Sequence, residues 1–274
     1  MNGQWKKYFM AAMIFTVVVG SMAVAHAQYW TSFDDNTRYL ALGDSLSAGY
    51  GAHPATNGFV YRLYESGAID NVNNVLLNNI GVVNATSSDV LAYELPLGHL
   101  FFSNTGQDYR KVVTITVGGN DLQELIGTIL YSGLTEEEIQ ILVGQTLYDF
   151  SFNLSLILGD LIGYPNVEVY VANQYDPMLP VAGGSEIVSA LNNAVDGVIT
   201  GMKTVYPCAN ITLVDIYSAF EGRNGLLLIE KKGAEMFQVH PTNAGHRVMA
   251  GTFAEAIRGN AGFLCNPVDT INSF

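Results

Sequence analysis

Residues 111–119 read KVVTITVGG, and the reading of this stretch decides the fold. From Val112 to Val117 every residue is β-branched and none is charged, as in a strand covered on both faces. Gly118 and Gly119 then punctuate the run ahead of Asn120 and Asp121. Working outward, RYLAL (38–42) predicts a first strand that ends in the glycine turn GDS, and NVLLNNIGVV (74–83) a second strand with its exit loop. NVEVYVANQY from Asn166 and NITLVDI from Asn210 predict two more. GFVYRLYESG (58–67) has the spacing of a short helix closed by Gly67. A long helix is expected from about Thr135, where Thr135 and Glu138 form a capping box. Ile139, Leu142, Leu147, Phe150, Leu154, Ile157 and Leu161 then recur at helical spacing. Further helices are expected near 185–204 and 244–258. Strand and helix alternate throughout, which predicts an α/β fold with a mostly parallel five-stranded sheet covered on both faces.

The chain opens differently. Lys6 and Lys7 precede the apolar run YFMAAMIFTVVVGSMAV, and AHA places small residues at Ala25 and Ala27. Basic, apolar and A-x-A segments in that order predict a signal peptide over 1–27; an N-terminal membrane anchor is the weaker alternative, since the apolar run falls short of about 20 residues. A single domain is expected over 28–274, with no further membrane span. Two lysines leave with the signal, which takes the formal net charge from −13 to −15. Such an acidic balance argues against nucleic acid as a partner. Cys208 and Cys265 are the only cysteines. In an oxidising compartment they can pair; two free buried thiols are the alternative.

In a parallel sheet, ligands sit beyond the carboxyl ends of the strands. The residues there are GDSLSAGY after the first strand and GGNDL after the third. Gly43 permits a tight strand-to-helix turn that exposes the Ser45 hydroxyl and aims the Ser45 N–H at a developing oxyanion. Asp44 is read as structural, bonding local backbone groups. Asn120 can donate its side-chain N–H to the same oxyanion, while Gly118 and Gly119 allow close backbone approach. Taken singly, Ser45, Asn120 and Asp121 are equally well read as helix caps. His240, in VHPTNAGH (239–246), is the candidate base, and Pro241 fixes the chain behind it. The six-residue gap from His240 to His246 fits no common zinc spacing, and His246 is read as a packed helix residue.

Together these stretches resemble the SGNH/GDSL hydrolase family over essentially the whole mature chain. LALGDSLSAGYG looks like its first block, IGVVNATSSD its second, VGGNDL its third and VHPTNAGH its last. The resemblance implies a flavodoxin-like three-layer α/β/α sandwich, no cofactor and no metal. It also implies hydrolysis of esters, thioesters or carbohydrate O-acyl groups through an acyl-enzyme on Ser45, with His240 as base and Asn120 as oxyanion donor. Two positions depart from the family pattern. Asn84 stands where the family has a glycine whose N–H joins the oxyanion hole, and Asn is the side chain that best tolerates a left-handed backbone. Phe237 stands where the family has the acid of Asp-x-x-His. The Phe237 backbone C=O can accept the Nδ1–H bond instead, leaving a Ser–His dyad, with Glu235 and Asp215 as rivals in a displaced triad. The apolar segments LAYELPLGHLFF (91–102) and GLLLIEKKG (225–233), read as loops, can each equally pack against the core; together they favour a lipid or fatty-acyl ester over an acetylated sugar. A competing class is an exported binding protein that keeps the fold and has lost the chemistry.

Overall fold

Alternation along the strands builds the two faces of the sheet. The computed structural model describes residues 36–177, 183–228 and 240–260. Residues 1–27, read as a signal, lie outside them, as do Glu235, Phe237 and Cys265. The strands are β1 (Thr37–Gly43), β2 (Val75–Asn79), β3 (Arg110–Thr116), β4 (Val167–Ala172) and β5 (Ile211–Val214). All pairings are parallel, in the order β2-β1-β3-β4-β5. The helices are α1 (Phe59–Glu65), α2 (Ser87–Asp89), α3 (Leu95–Ser103), α4 (Gly119–Tyr131), α5 (Glu136–Leu161), α6 (Gly184–Val205), α7 (Ile216–Phe220), α8 (Asn224–Leu227) and α9 (Asn243–Gly259).

Tyr39, Ala41, Val112, Tyr170 and Ala172 turn to one face, where Phe59, Phe220 and Phe253 of α1, α7 and α9 cover them. Phe59 and Phe253 stack with centroids 4.9 Å apart. The intervening residues Leu40, Leu42, Val113, Ile115, Val169 and Val171 turn to the other face, against α3 to α6. Each fully buried side chain of this size contributes about 1.5–3 kcal/mol. Three layers result, α/β/α, with both faces of the sheet apolar.

The expected strands and the helices at 58–67, 135 onward, 185–204 and 244–258 all form. Thr135 caps α5 with the full reciprocal box, its side chain accepting from Glu138 N–H while Glu138 bonds back. α5 buries Phe150, Leu154, Ile157, Leu158 and Leu161 of its C-terminal half in the core, and Leu142, Val143 and Leu147 pack against it half-buried. Ile141, Tyr148, Phe152 and Leu156 are exposed. By length and composition alone α5 could cross a bilayer.

Three expectations change. β3 ends at Thr116, and Gly119, Asn120 and Asp121 are the first turn of α4, which starts from Gly118 at φ 108°. No regular helix follows Ser45; Ala48 N–H bonds Asp44 O and Tyr50 N–H bonds Ser45 O in an irregular turn. Finally, residues 91–102 are not a loop. Thr86 caps α2, a π-helical turn spans Val90–Glu94, and α3 completes the run. Pro96 is tolerated because it lies in the first turn of α3. One side of this run enters the core through Leu95, Phe101 and Phe102, while Tyr93, Leu97 and Leu100 stay exposed.

The register brings Gly43 opposite Thr116. Gly43 has φ 120°, and a Cβ there would lie 1.9 Å from the Thr116 carbonyl oxygen. Gly43→Ala is therefore expected to lose more than the about 1–3 kcal/mol of backbone strain alone, read as a lower urea midpoint in equilibrium unfolding.

Candidate active site

β1 and β3 are neighbours, with β2 and β4 on their outer sides, so the chain reverses its direction of winding between them. That is the switch point at which open parallel sheets leave a crevice. Asp44 N–H bonds the Thr116 carbonyl at 3.0 Å and turns the chain across the end of β3. Ser45 follows, 6% exposed. His240 arrives from 195 residues away, 8% exposed, with Nε2 2.8 Å from Ser45 Oγ. The Tyr50 ring leans on the imidazole, centroids 4.4 Å apart and planes at 54°.

Behind His240 the chain is held at several points. Pro241 bridges to Leu228, and Thr242 N–H bonds Leu227 O at 2.7 Å. Thr242 also caps α9 through Gly245 N–H. Asn243 accepts from His53 N–H and donates to His53 O, both at 2.8 Å, which ties the histidine loop to the segment after Ser45. His246 is fully buried within α9. Its Nδ1 accepts from Phe59 N–H at 3.2 Å and its Nε2 donates to Tyr50 O at 2.9 Å, so the ring is the neutral Nε2–H tautomer. Burial lowers its pKa.

The second and third blocks meet in the same crevice. Asn84 takes the left-handed backbone, φ 69°. The next carbonyl, that of Ala85, accepts from Asn120 Nδ2 at 2.8 Å, so one amide hydrogen orients Asn120 and the other remains for a ligand. Asp121 does not cap its own helix. It accepts from Ser87 N–H and from Ser87 Oγ–H at 2.6 Å, clamping the second block to α4, while Asn153 of α5 donates to the same hydroxyl. Burial, above all, raises the Asp121 pKa. Asp44 does bond local groups, accepting from Leu46 N–H at 2.9 Å and Thr116 Oγ1–H at 3.0 Å. Burial outweighs these bonds and pushes its pKa up to about 7. A side chain at Gly119 would meet Gln174 Oε1 at 3.2 Å and Asp44 Oδ2 at 3.7 Å.

Of the groups considered for orienting His240, Phe237 and Glu235 lie outside the described residues. The Asp215 Oδ1 accepts from Asn173 Nδ2 at 2.8 Å and from Ser218 N–H at 3.0 Å, capping α7. Cys208 is disulfide-bonded, which disposes of the free-thiol alternative for this residue. Among the described residues no group of three or more His, Cys, Asp or Glu could hold a metal. Sequence reasoning assigned nothing to Tyr50 or to Glu94, whose carboxyl accepts from Gly43 N–H at 2.6 Å. For Glu94 there was a usable signal, one acid inside an otherwise apolar run.

The model of the GDSL-like lipase/acylhydrolase family matches residues 41–248, which takes in Ser45, Asn84, Asn120 and His240. The chain belongs to this family. The spore germination lipase LipC of Bacillus licheniformis is 25% identical over 215 residues, covering 78% of this chain and 92% of LipC. The GDSL family fold is also that of the lipase Lip_vut3 from a goat rumen metagenome, at 24% identity and TM-score 0.58, covering 80% of this chain and 97% of that one. The acetylxylan esterase Axe2 of Geobacillus stearothermophilus shares it at 17% identity and TM-score 0.54, over 84% and 96% of the two chains. Ester hydrolysis is the chemistry of this GDSL family.

Because the folded pKa of Asp44 is raised, its contribution to stability is full below its unfolded pKa of about 3.9 and is lost as pH rises through about 7. Urea unfolding across that range should show stability falling with pH. Asp44→Asn, which keeps an oxygen acceptor and cannot ionise, should flatten part of the fall.

Proposed function

We propose that this GDSL hydrolase is an exported serine esterase acting on lipid or fatty-acyl esters through an acyl-enzyme. The observation that carries the chemistry is the 2.8 Å approach of His240 Nε2 to Ser45 Oγ, beside Asn120 and the left-handed Asn84. Ser45 Oγ–H donates to Nε2, and His240 takes the proton as Ser45 attacks the ester carbonyl. The N–H groups of Ser45 and Asn84 and the free amide hydrogen of Asn120 receive the oxyanion. His240 then protonates the leaving alcohol, and water repeats the cycle on the acyl-enzyme. An intact Ser–His pair favours an enzyme over a binding protein of the same fold.

The Nδ1–H of His240 donates to the Phe237 backbone carbonyl in this reading. Its support is the engagement of Asp215 with Asn173 and Ser218. For the acyl group, the support is a cavity of ≈ 330 Å³ bounded by Val82, Val83, Asn84, Ala85 and Tyr93, with Leu97 and Leu100 exposed on the adjoining run. LipC, itself called a lipase, agrees with that choice. Export rests on the 1–27 signal pattern and the oxidised Cys208, and a structural relative from Streptomyces rimosus is described as an extracellular lipase.

A fluorophosphonate probe should label Ser45, and Ser45→Ala should lose labelling and turnover together; full turnover by Ser45→Ala would sink the assignment. Asn120→Ala should lower kcat by about 10²–10³. With nitrophenyl esters of rising chain length, turnover should hold beyond butyrate. Best turnover on acetate with a steep fall would instead mark a small-acyl esterase.

The dyad has its own test. Asp215→Asn and Glu235→Gln should each stay within about threefold of the parent kcat, whereas loss of a true triad acid costs about 10⁴. A drop of that size in either variant makes that residue the orienting acid.

A further inference from the structure

Glu94 is the one carboxyl in the π-helical turn Val90–Glu94, and it is only 2% exposed. π-turns inserted in helical runs recur at functional sites, because the extra residue re-aims a side chain. Here the side chain reaches back under the crevice. Oε2 accepts from Gly43 N–H at 2.6 Å, one residue before Asp44 and two before Ser45. Val82, two residues before Asn84, donates its N–H to the Gly43 carbonyl at 2.8 Å and lines the same cavity as Glu94. Glu94 thus joins the turn that carries the nucleophile to the loop that carries Asn84. Oε1 is buried with no partner among the described residues, and Glu94 bounds the ≈ 330 Å³ cavity beside Asn84. A buried oxygen without a donor is costly on a carboxylate and far less so on an un-ionised acid.

We propose that Glu94 is a positioning residue for the reaction at Ser45. As the neutral acid, it holds the Gly43 turn against the Asn84 loop and keeps negative charge away from the oxyanion site. This rests on the serine-hydrolase reading above and extends it to the control of that site by pH.

The surroundings agree. Burial is the largest influence on Glu94 and pushes its pKa up to about 8, with the N–H groups of Gly43 and Val82 working against it. Two charged groups act on it, Asp44 at the end of β1 and Asp89 on α2, and both raise the pKa further. α5, packed on the same turn, contributes the uncharged Asn153 beside Ser87. Ionisation of Glu94 would set a carboxylate near Asp44, on the turn that carries Ser45 and beside Asn84. Preorganised donors lose effect when a like charge sits near them.

The test compares parent protein, Glu94→Gln and Glu94→Ala on p-nitrophenyl butyrate at about pH 7 and about pH 9, with fluorophosphonate labelling of Ser45 alongside. The parent kcat is expected to fall by about fivefold or more between these conditions. Glu94→Gln keeps an oxygen for Gly43 N–H and cannot ionise, so its fall should be less than about twofold. Glu94→Ala should be at least about tenfold slower than Glu94→Gln at the lower pH. A Glu94→Gln profile that falls as the parent does overturns the proposal, even if Glu94→Ala does not fold. So does a Glu94→Ala protein as active as Glu94→Gln. Ser45 labelling separates the failures: a labelled Ser45 with superimposable profiles removes only the role of Glu94. A parent in which Ser45 never labels removes the serine-hydrolase reading and the role of Glu94 with it.

Discussion

Contact between the end of β1 and the end of β3 is the constraint on which the rest of the site depends. Gly43 lies against the Thr116 carbonyl more closely than any side chain would allow, and Asp44 N–H then bonds that same oxygen. Thr116 Oγ1 donates to Asp44 and lies 2.8 Å from the Ser47 hydroxyl, so the turn is fastened on both sides. With the turn held there, Ser45 stands in the crevice where α4 begins, and Asn120 is in its first turn. His240 can then approach from the far end of the chain, because the loop before α9 is pinned to Leu227, Leu228 and His53.

Around this contact the protein buries carboxyls and meets them with N–H and O–H donors. Asp44 has Leu46 and Thr116, Asp121 has Ser87, and Glu94 has Gly43. Burial dominates in all three, so each carboxyl binds its proton more tightly than it would in water. These acids are connectors between loops. They hold the Ser45 turn, the second block and the first turn of α4 together, and each is protonatable.

Legibility in the sequence followed the range of the interaction. The box at Thr135 and Glu138 was readable because its two bonds close within three residues. The left-handed backbone at Asn84 was readable too, since only the steric tolerance of the residue itself is involved. Residues 91–102 read as a loop because Pro96 and Gly98 are poor helix signals, and a π-turn breaks the 3.6-residue period. Its amphipathic division, with Phe101 and Phe102 inward and Leu97 and Leu100 outward, is hidden once that period is lost. Asp215 looked like a free acid near a strand end. In the fold its Oδ1 caps α7 and accepts from Asn173, 42 residues away in the chain.

By itself the sequence determined the alternation of strands and helices, the apolar faces of each, and the residue types able to carry ester hydrolysis. The first two follow from local periodicity, and the last from the order of the blocks and the family they resemble. Tertiary structure alone decided which polar groups meet: Nε2 of His240 with Ser45, Asn120 with the Ala85 carbonyl, Glu94 with the Gly43 turn. The reason is physical. Burying an apolar face needs only a partner of suitable shape, whereas a buried hydrogen bond needs one particular atom at about 3 Å, which only the finished packing of the sheet and its helices supplies.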